Sequence, residues 1–347
     1  MIHAPVGIVT LNRYSHFRKC LESLEKCTGA DETEVFVALD YPPSEKYKEG
    51  WTDIDEYLKI KEADNGFKQL NVVRRKYNCG VGKPNGNWEL LEQYLHEHYD
   101  RYIFTEDDNV FSPNFLEFIN KGLEKYENTP SVSAVVGYCL PFPFKTGNDN
   151  YFMHNTDFSA WGYGTWFNMR HKITEDIRCE RLKKTFNLKN YLKVRKQGFN
   201  RLLNYMAIVL KPKGEYIWIT DSVLSVYNIV NDMYVIVPTL SKVRNMGWDM
   251  TGCSFSGKNG KDRLKKYGDI AERHIQQWID TEPFFDFKGN GTDYTNFNNQ
   301  VAVAHNENKI SYIVFLKKLF FMLIKAIAKQ VGLKKIKNII RGKSKML

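Results

Sequence analysis

RYIFTEDDNVFSPNF (residues 101–115) joins an apolar, aromatic run to three consecutive carboxylates, Glu106, Asp107 and Asp108, and then to Ser112 and Pro113. The run 101–105 predicts a buried strand. Ser112 and Pro113 predict an N-cap and a first helical residue. The acidic triplet therefore falls at a strand's carboxyl end, where open α/β sheets bind ligands. Three like charges in a row raise the free energy of the ionised site unless a cation compensates. Hard oxygen donors suit Mn²⁺ or Mg²⁺, which take one or two protein carboxylates and complete their shell with phosphate oxygens and water. The plain alternative is an acidic solvated turn, and the α/β context weighs against it.

That context is legible on both sides of the triplet. Short apolar runs at 4–11, 34–40, 70–75 and 132–137 predict further strands. Helical patterns start near Ser15 and Thr52 and cover 87–99. The alternation predicts an α/β chain with a mostly parallel, doubly wound sheet. Thr10 and Arg13 then end the first strand, and Arg13 can reach a phosphate with two parallel hydrogen bonds. Asp40 ends the second, where it accepts from a base N–H or simply forms the turn before Pro42 and Pro43. The loop NCGVGKPNG (78–86) lacks the spacing of a Walker loop, but Lys83 is placed to approach a diphosphate. In TDFSAWGYGTW (156–166), Trp161 and Gly162 offer a flat wall and close backbone approach, or else an aromatic core loop. Asp221 sits in the apolar YIWITDSVLSVY (216–227), as a general base or as a helix cap.

The chain has 347 residues, 43% of them hydrophobic and 14% aromatic, enough for a sizeable core. Its formal charge of +10 is local. Residues 309–347 hold eleven Lys and Arg and no Asp or Glu, which leaves residues 1–308 at −1. A near-neutral body argues against nucleic acid as a partner. Six cysteines show neither zinc-type pairs nor the density of a disulfide scaffold, and the expectation from the first residues is a chain without a secretory leader. A cytoplasmic setting is expected. The tail segment 310–328 is long enough to span a bilayer. Lys317 and Lys318 fall near its middle, however, where each costs about 2.5–3.5 kcal/mol. The basic residues share one side, so the expectation is a helix lying on an anionic membrane, at the inner face of the cell membrane. A helix packed on the protein is the alternative. The expected organisation is a catalytic domain over 1–282 (halves 1–150 and 151–282), a linker over 283–308 and the basic tail over 309–347.

Six segments in order over roughly residues 4–255 carry a resemblance: IVTLNR, FVALD, EDDNVFSPNFLEF, TDFSAWGYGTW, ITDSV and IVPTLSKVRNMGW. Together they resemble the inverting GT-A N-acetylglucosaminyltransferase of N-glycan maturation and its bacterial relatives in surface-polysaccharide synthesis. The resemblance implies a GT-A, Rossmann-like fold. It implies transfer of a sugar from a nucleotide-diphosphate donor, of UDP type, to a glycan or lipid-linked glycan acceptor, with inversion. It assigns Arg13 to the donor phosphates, Asp40 to the base, Glu106 and Asp107 to the ribose and transferred sugar, and Asp108 to the metal. Trp161 and Gly162 would line the cleft, and Asp221 would deprotonate the acceptor. The family's paired acidic residues stand here as Thr220 and Asp221. Two rivals remain: a nucleotidyltransferase acting on sugar phosphates, and a non-catalytic, membrane-tethered sugar- or nucleotide-binding protein.

Overall fold

The computed structural model describes residues 3–141, 144–249, 251–252, 272, 274–291 and 310–330. The chain divides into two compact units. The first comprises Met1–His154, Phe158–Arg170 and Tyr234–Asn298. It opens with the expected alternation: β1 (Val6–Thr10), α1 (Tyr14–Glu25), β2 (Glu34–Leu39), α2 (Lys48–Ala63), β3 (Gln69–Arg74), α3 (Asn87–His98) and β4 (Arg101–Glu106). Then come β5 (Asn109–Phe111), α4 (Phe115–Tyr126), β6 (Val132–Val136), β7 (Tyr151–His154), β8 (Tyr163–Trp166), β9 (Tyr234–Pro238) and β10 (Val243–Asn245).

Eight of these strands form one sheet in the order β3-β2-β1-β4-β8-β6-β9-β7. Only β8 and β7 run against the others. The fold is α/β with a mostly parallel, doubly wound sheet. Apolar residues buried on both faces build it, among them Val6 and Ile8 of β1, Val35 and Val37 of β2 and Ile103 of β4. The chain winds outward from β1 through β2 to β3, then returns to place β4 on the other side of β1. That reversal makes β1 and β4 the switch point, where such sheets open a crevice. In register, Val9 of β1 lies beside Glu106 of β4, which sets Thr10 next to Asp107. A separate two-stranded ribbon pairs β5 with β10 antiparallel just beyond β4.

Several boundaries differ from the sequence expectation. α1 begins at Tyr14 because the Phe17 amide donates to the Arg13 carbonyl at 2.9 Å, so Ser15 lies inside the first turn. α2 begins at Lys48, four residues before Thr52. α4 begins at Phe115 with Asn114 in the N-cap position. Ser112 is drawn into the ribbon instead, donating its amide to the Lys242 carbonyl at 2.9 Å. The segment expected as a linker is packed where it is described. Phe285 is buried edge-on to Phe118 at 4.9 Å, and Phe287 meets Tyr151 at 4.7 Å. Residues 292–308 lie outside the described residues.

The second unit comprises Asn155–Asp157, His171–Met233 and Asn299–Leu347. It takes up most of α5 (Phe167–Arg178), then α6 (Arg181–Lys184), α7 (Leu188–Lys196), α8 (Phe199–Val209), α9 (Asp221–Asn231) and α10 (Tyr312–Gln330). Helix α8 is its centre, with α7, α9 and α10 packed on it. Leu202, Tyr205 and Ile208 supply its buried side. Among the described residues, no helix is long and apolar enough to cross a membrane. Residues 331–347 of the expected tail lie outside the described residues.

Candidate functional site

The switch point gathers four of the residues singled out in the sequence. Arg13, in the turn after β1, forms an ion pair with Asp107 through Nη2 and another with Asp108 through Nη1 at 2.8 Å. Thr10 Oγ1 donates to the second oxygen of Asp107 at 2.9 Å. Asn245 Nδ2 donates to Asp108 Oδ1 at 2.8 Å and to Asn109 Oδ1 at 2.9 Å. Asp107 and Asp108 are buried, at 5% and 6% exposure. Two buried carboxylates thus face one guanidinium, leaving one negative charge in excess. Burial pushes the Asp107 carboxyl above the usual range, with the neighbouring Asp108 adding to the shift and Arg13 and Thr10 opposing it. Burial also works against a charged Arg13, but the two carboxylates outweigh it and hold the guanidinium charged.

The loop after β10 closes over this cluster. The Met246 amide donates to the Asp108 carbonyl at 2.8 Å, and any Cβ at residue 247 would overlap Asp108 Oδ2. Gly247 is therefore required for close approach. Further along, Asp249 pairs with His16 at 3.0 Å, and a Cβ at Gly252 would stand 3.1 Å from Arg13 Nη1. The sequence reading missed Asn245 and Gly247, although both lie in the RNMGW segment that follows an apolar run.

Asp40 lies beside the cluster, its amide donating to the Thr10 carbonyl at 3.0 Å. Its carboxylate is fully employed. Oδ1 accepts from the Tyr41 and Cys79 amides at 3.0 and 2.8 Å, and Oδ2 from the Gly80 amide and Asn78 Nδ2 at 2.8 and 3.2 Å. Four donors fill its four lone-pair directions. Asp40 thus orders the loop after β3, on which exposed Lys83 folds over Gly80. Glu106 closes β4 half-buried, its carbonyl near Cys20 Sγ.

Trp161 belongs to an aromatic group in the same unit. It meets Tyr138 edge-on at 4.7 Å and His274 at 5.6 Å. Trp248, next to Gly247, stacks on His274 at 4.5 Å, and Tyr138 Oη lies 2.7 Å from His274 Nδ1. Gly162 has a φ of 71° and packs where a Cβ would stand 2.8 Å from Phe115, so its place is set by the turn. Asp221 lies in the second unit, as the first residue of α9 behind Thr220 in the N-cap position. A carboxylate there is stabilised by the helix dipole.

The donor set suits a hard divalent cation. Among the described residues, no group of three or more His, Cys, Asp or Glu is arranged to hold an ion alone. Mg²⁺-like ions need no such cage, since one or two carboxylates suffice when phosphate oxygens complete the shell. The excess negative charge at Asp107 and Asp108 and the close backbone over Asp108 fit that pattern.

No protein-family model and no curated protein matches the sequence. Among solved structures, the chain is similar to S. aureus TarS at 15% identity, over 38% of this chain and 20% of that one, with a TM-score of 0.27. It therefore spans about a fifth of that protein. It is similar to TarS residues 1–349 at 11% identity, over 97% and 85% of the two chains, with a TM-score of 0.40. The mannosyltransferase PcManGT from Pyrobaculum calidifontis, in complex with GDP-Man and Mn²⁺, is 12% identical over 99% and 80%, with a TM-score of 0.37.

Proposed function

We propose that this chain is a metal-dependent glycosyltransferase of GT-A type, moving a sugar with inversion from a nucleotide-diphosphate donor to a glycan or lipid-linked glycan. The observation that carries the reading is the Asp107–Arg13–Asp108 cluster at the β1/β4 switch point. A transferase of this kind must hold a diphosphate and stabilise it as it departs, and a buried cluster with one excess negative charge is made to recruit the cation that does so.

Asp108 would hold Mn²⁺ or Mg²⁺, and the bound ion would neutralise charge on the departing diphosphate. Arg13, released in part from the carboxylates, donates two parallel hydrogen bonds to phosphate oxygens. Asp107 and Glu106 face the ribose and the transferred sugar, and Asp40 keeps the Lys83 loop in place on the nucleotide side. Trp161 and Gly162 wall the sugar side. Asp221 takes the proton from the acceptor hydroxyl, which then attacks the anomeric carbon from the face opposite the nucleotide.

A thermal-shift panel of nucleotide sugars, with and without Mn²⁺, tests the reading. Binding to the native state raises apparent stability by mass action. One nucleotide class should raise the melting temperature, and only with the cation. Turnover should release free nucleoside diphosphate. Release of pyrophosphate, or no shift with any donor in a folded sample, would overturn it.

A further inference from the structure

Two helices of the second unit are apolar, exposed and basic together. In α10, Phe315 is 2% exposed and stacks on Phe199 of α8 at 4.9 Å, which fixes the covered side of the helix. Ile313, Leu316, Phe320, Leu323 and Ile327 recur at three- and four-residue steps on a different side and remain 39–65% exposed. Lys317, Lys318 and Lys325 are exposed and make no ion pair among the described residues. In α7, Leu188 and Leu192 stand one turn apart, 74% and 50% exposed, between Arg195 on one flank and Lys189 and Lys196 on the other. Residues 181–214 hold ten Lys and Arg and no Asp or Glu. The two helices meet at one ring: Arg195 lies over Phe199 at 3.9 Å, and Phe199 stacks on Phe315. At the other end of α10, Lys329 pairs with Glu215 beyond α8 at 2.8 Å, so α10 runs along α8.

We infer that α7 and α10 form one docking surface for an anionic lipid bilayer. This surface belongs to the second unit and is independent of the transferase chemistry at the switch point of the first. Exposed Leu, Ile and Phe gain by entering an apolar phase, and the lysines beside them gain from anionic headgroups. A nucleic acid would meet the charge but leave seven large apolar side chains in water. A second copy would set lysines against lysines. The expected tail helix is therefore half of the device, and α7, within the chain's body, is the other half.

Flotation of the full chain with phosphatidylcholine vesicles, with and without phosphatidylglycerol, tests this. The chain should float only with the anionic vesicles. Leu188→Ser/Leu192→Ser in α7 should lower partition at least about tenfold, since burying each leucine is worth more than a factor of ten. Phe320→Ser/Ile327→Ser in α10 should do the same. Lys189→Gln/Lys196→Gln should lower it by about fivefold per charge. All six positions are exposed, and circular dichroism checks that the variants fold. The proposal is overturned by absence of flotation, by equal binding to neutral vesicles, or by α7 variants that float like the parent chain. It is also overturned if the parent is a dimer by light scattering and the same variants are monomers, because the face then belongs to a second copy.

Discussion

At the scale of single residues, Arg13 carries the largest consequence. It is the counter-charge for two buried carboxylates, and removing one partner of a buried pair leaves uncompensated charge behind. Arg13→Gln should destabilise the first unit by about 3–5 kcal/mol in chelator, read by urea unfolding. Adding Mn²⁺ should raise the melting temperature of Arg13→Gln more than that of the parent, because the cation then supplies the missing charge. Equal shifts would show that no cation enters the cluster. Asp221 makes a different demand. Asp221→Asn should lower kcat by about 10²–10⁴-fold while donor affinity by calorimetry stays unchanged. A parallel loss of donor affinity would move Asp221 out of the base role. Arg13, Asp107 and Asp108 were legible because strand ends can be found from local apolar runs. Asn245 and Gly247 were not, since their contact with Asp108 joins positions 137 residues apart in the case of Asn245. Nor was the saturation of Asp40, because its four donors depend on how the loop at 78–80 turns.

Among elements, the described part of the segment expected as a linker, 283–291, packs on α4, with Phe285 buried against Phe118. Just before it, at the end of the expected catalytic domain, Asp280 pairs with Lys242, which is only 1% exposed and immediately precedes the ribbon strand β10. Asn114 Nδ2 also donates to Asp280 at 3.0 Å. Burial opposes a charged Asp280, but Lys242, the Glu282 amide and Asn114 outweigh it and hold the carboxyl below its ordinary range. The unfolded chain therefore binds the proton first as pH falls. The stability this carboxylate contributes is complete above its unfolded value, about pH 4, and is lost progressively below it. Urea midpoints measured from pH 6 down to pH 3 should fall for the parent and fall less steeply for Lys242→Met/Asp280→Leu. The single variant Asp280→Leu should cost about 3–5 kcal/mol, while the double variant should recover most of that, since an apolar pair can replace a buried ion pair. Five of the parallel strands, β1 to β4 and β6, were readable as short apolar runs, and β9 (Tyr234–Pro238) was not singled out. β8 was not, because YGTW owes its place between β4 and β6 to close packing of Gly164 under Ile119 and Leu123 of α4, which no local pattern encodes.

Over the whole molecule, charge is segregated in a way the total conceals. The second unit carries a formal charge of +15, which against +10 for the chain leaves −5 for the first. The near-neutral sum over residues 1–308 thus mixes an acidic unit with the basic run 181–214. An anionic donor approaching the switch point meets a unit of its own sign and a cluster with one excess negative charge. A divalent cation reverses that local sign. Without the cation, the interaction of a nucleoside diphosphate with the site is a repulsion between like charges, which salt screens; with it, the interaction is an attraction, which salt also screens. Calorimetric titrations of nucleoside diphosphate should therefore show opposite salt dependences. Affinity in chelator should rise modestly between low and physiological ionic strength, and affinity with Mn²⁺ should fall over the same range. The cation should strengthen binding at low salt by at least about tenfold, the equivalent of 1.4 kcal/mol. Two salt slopes of the same sign would mean that Arg13 and Lys83 dominate the donor's electrostatics and that the cluster at Asp107 and Asp108 serves the fold alone.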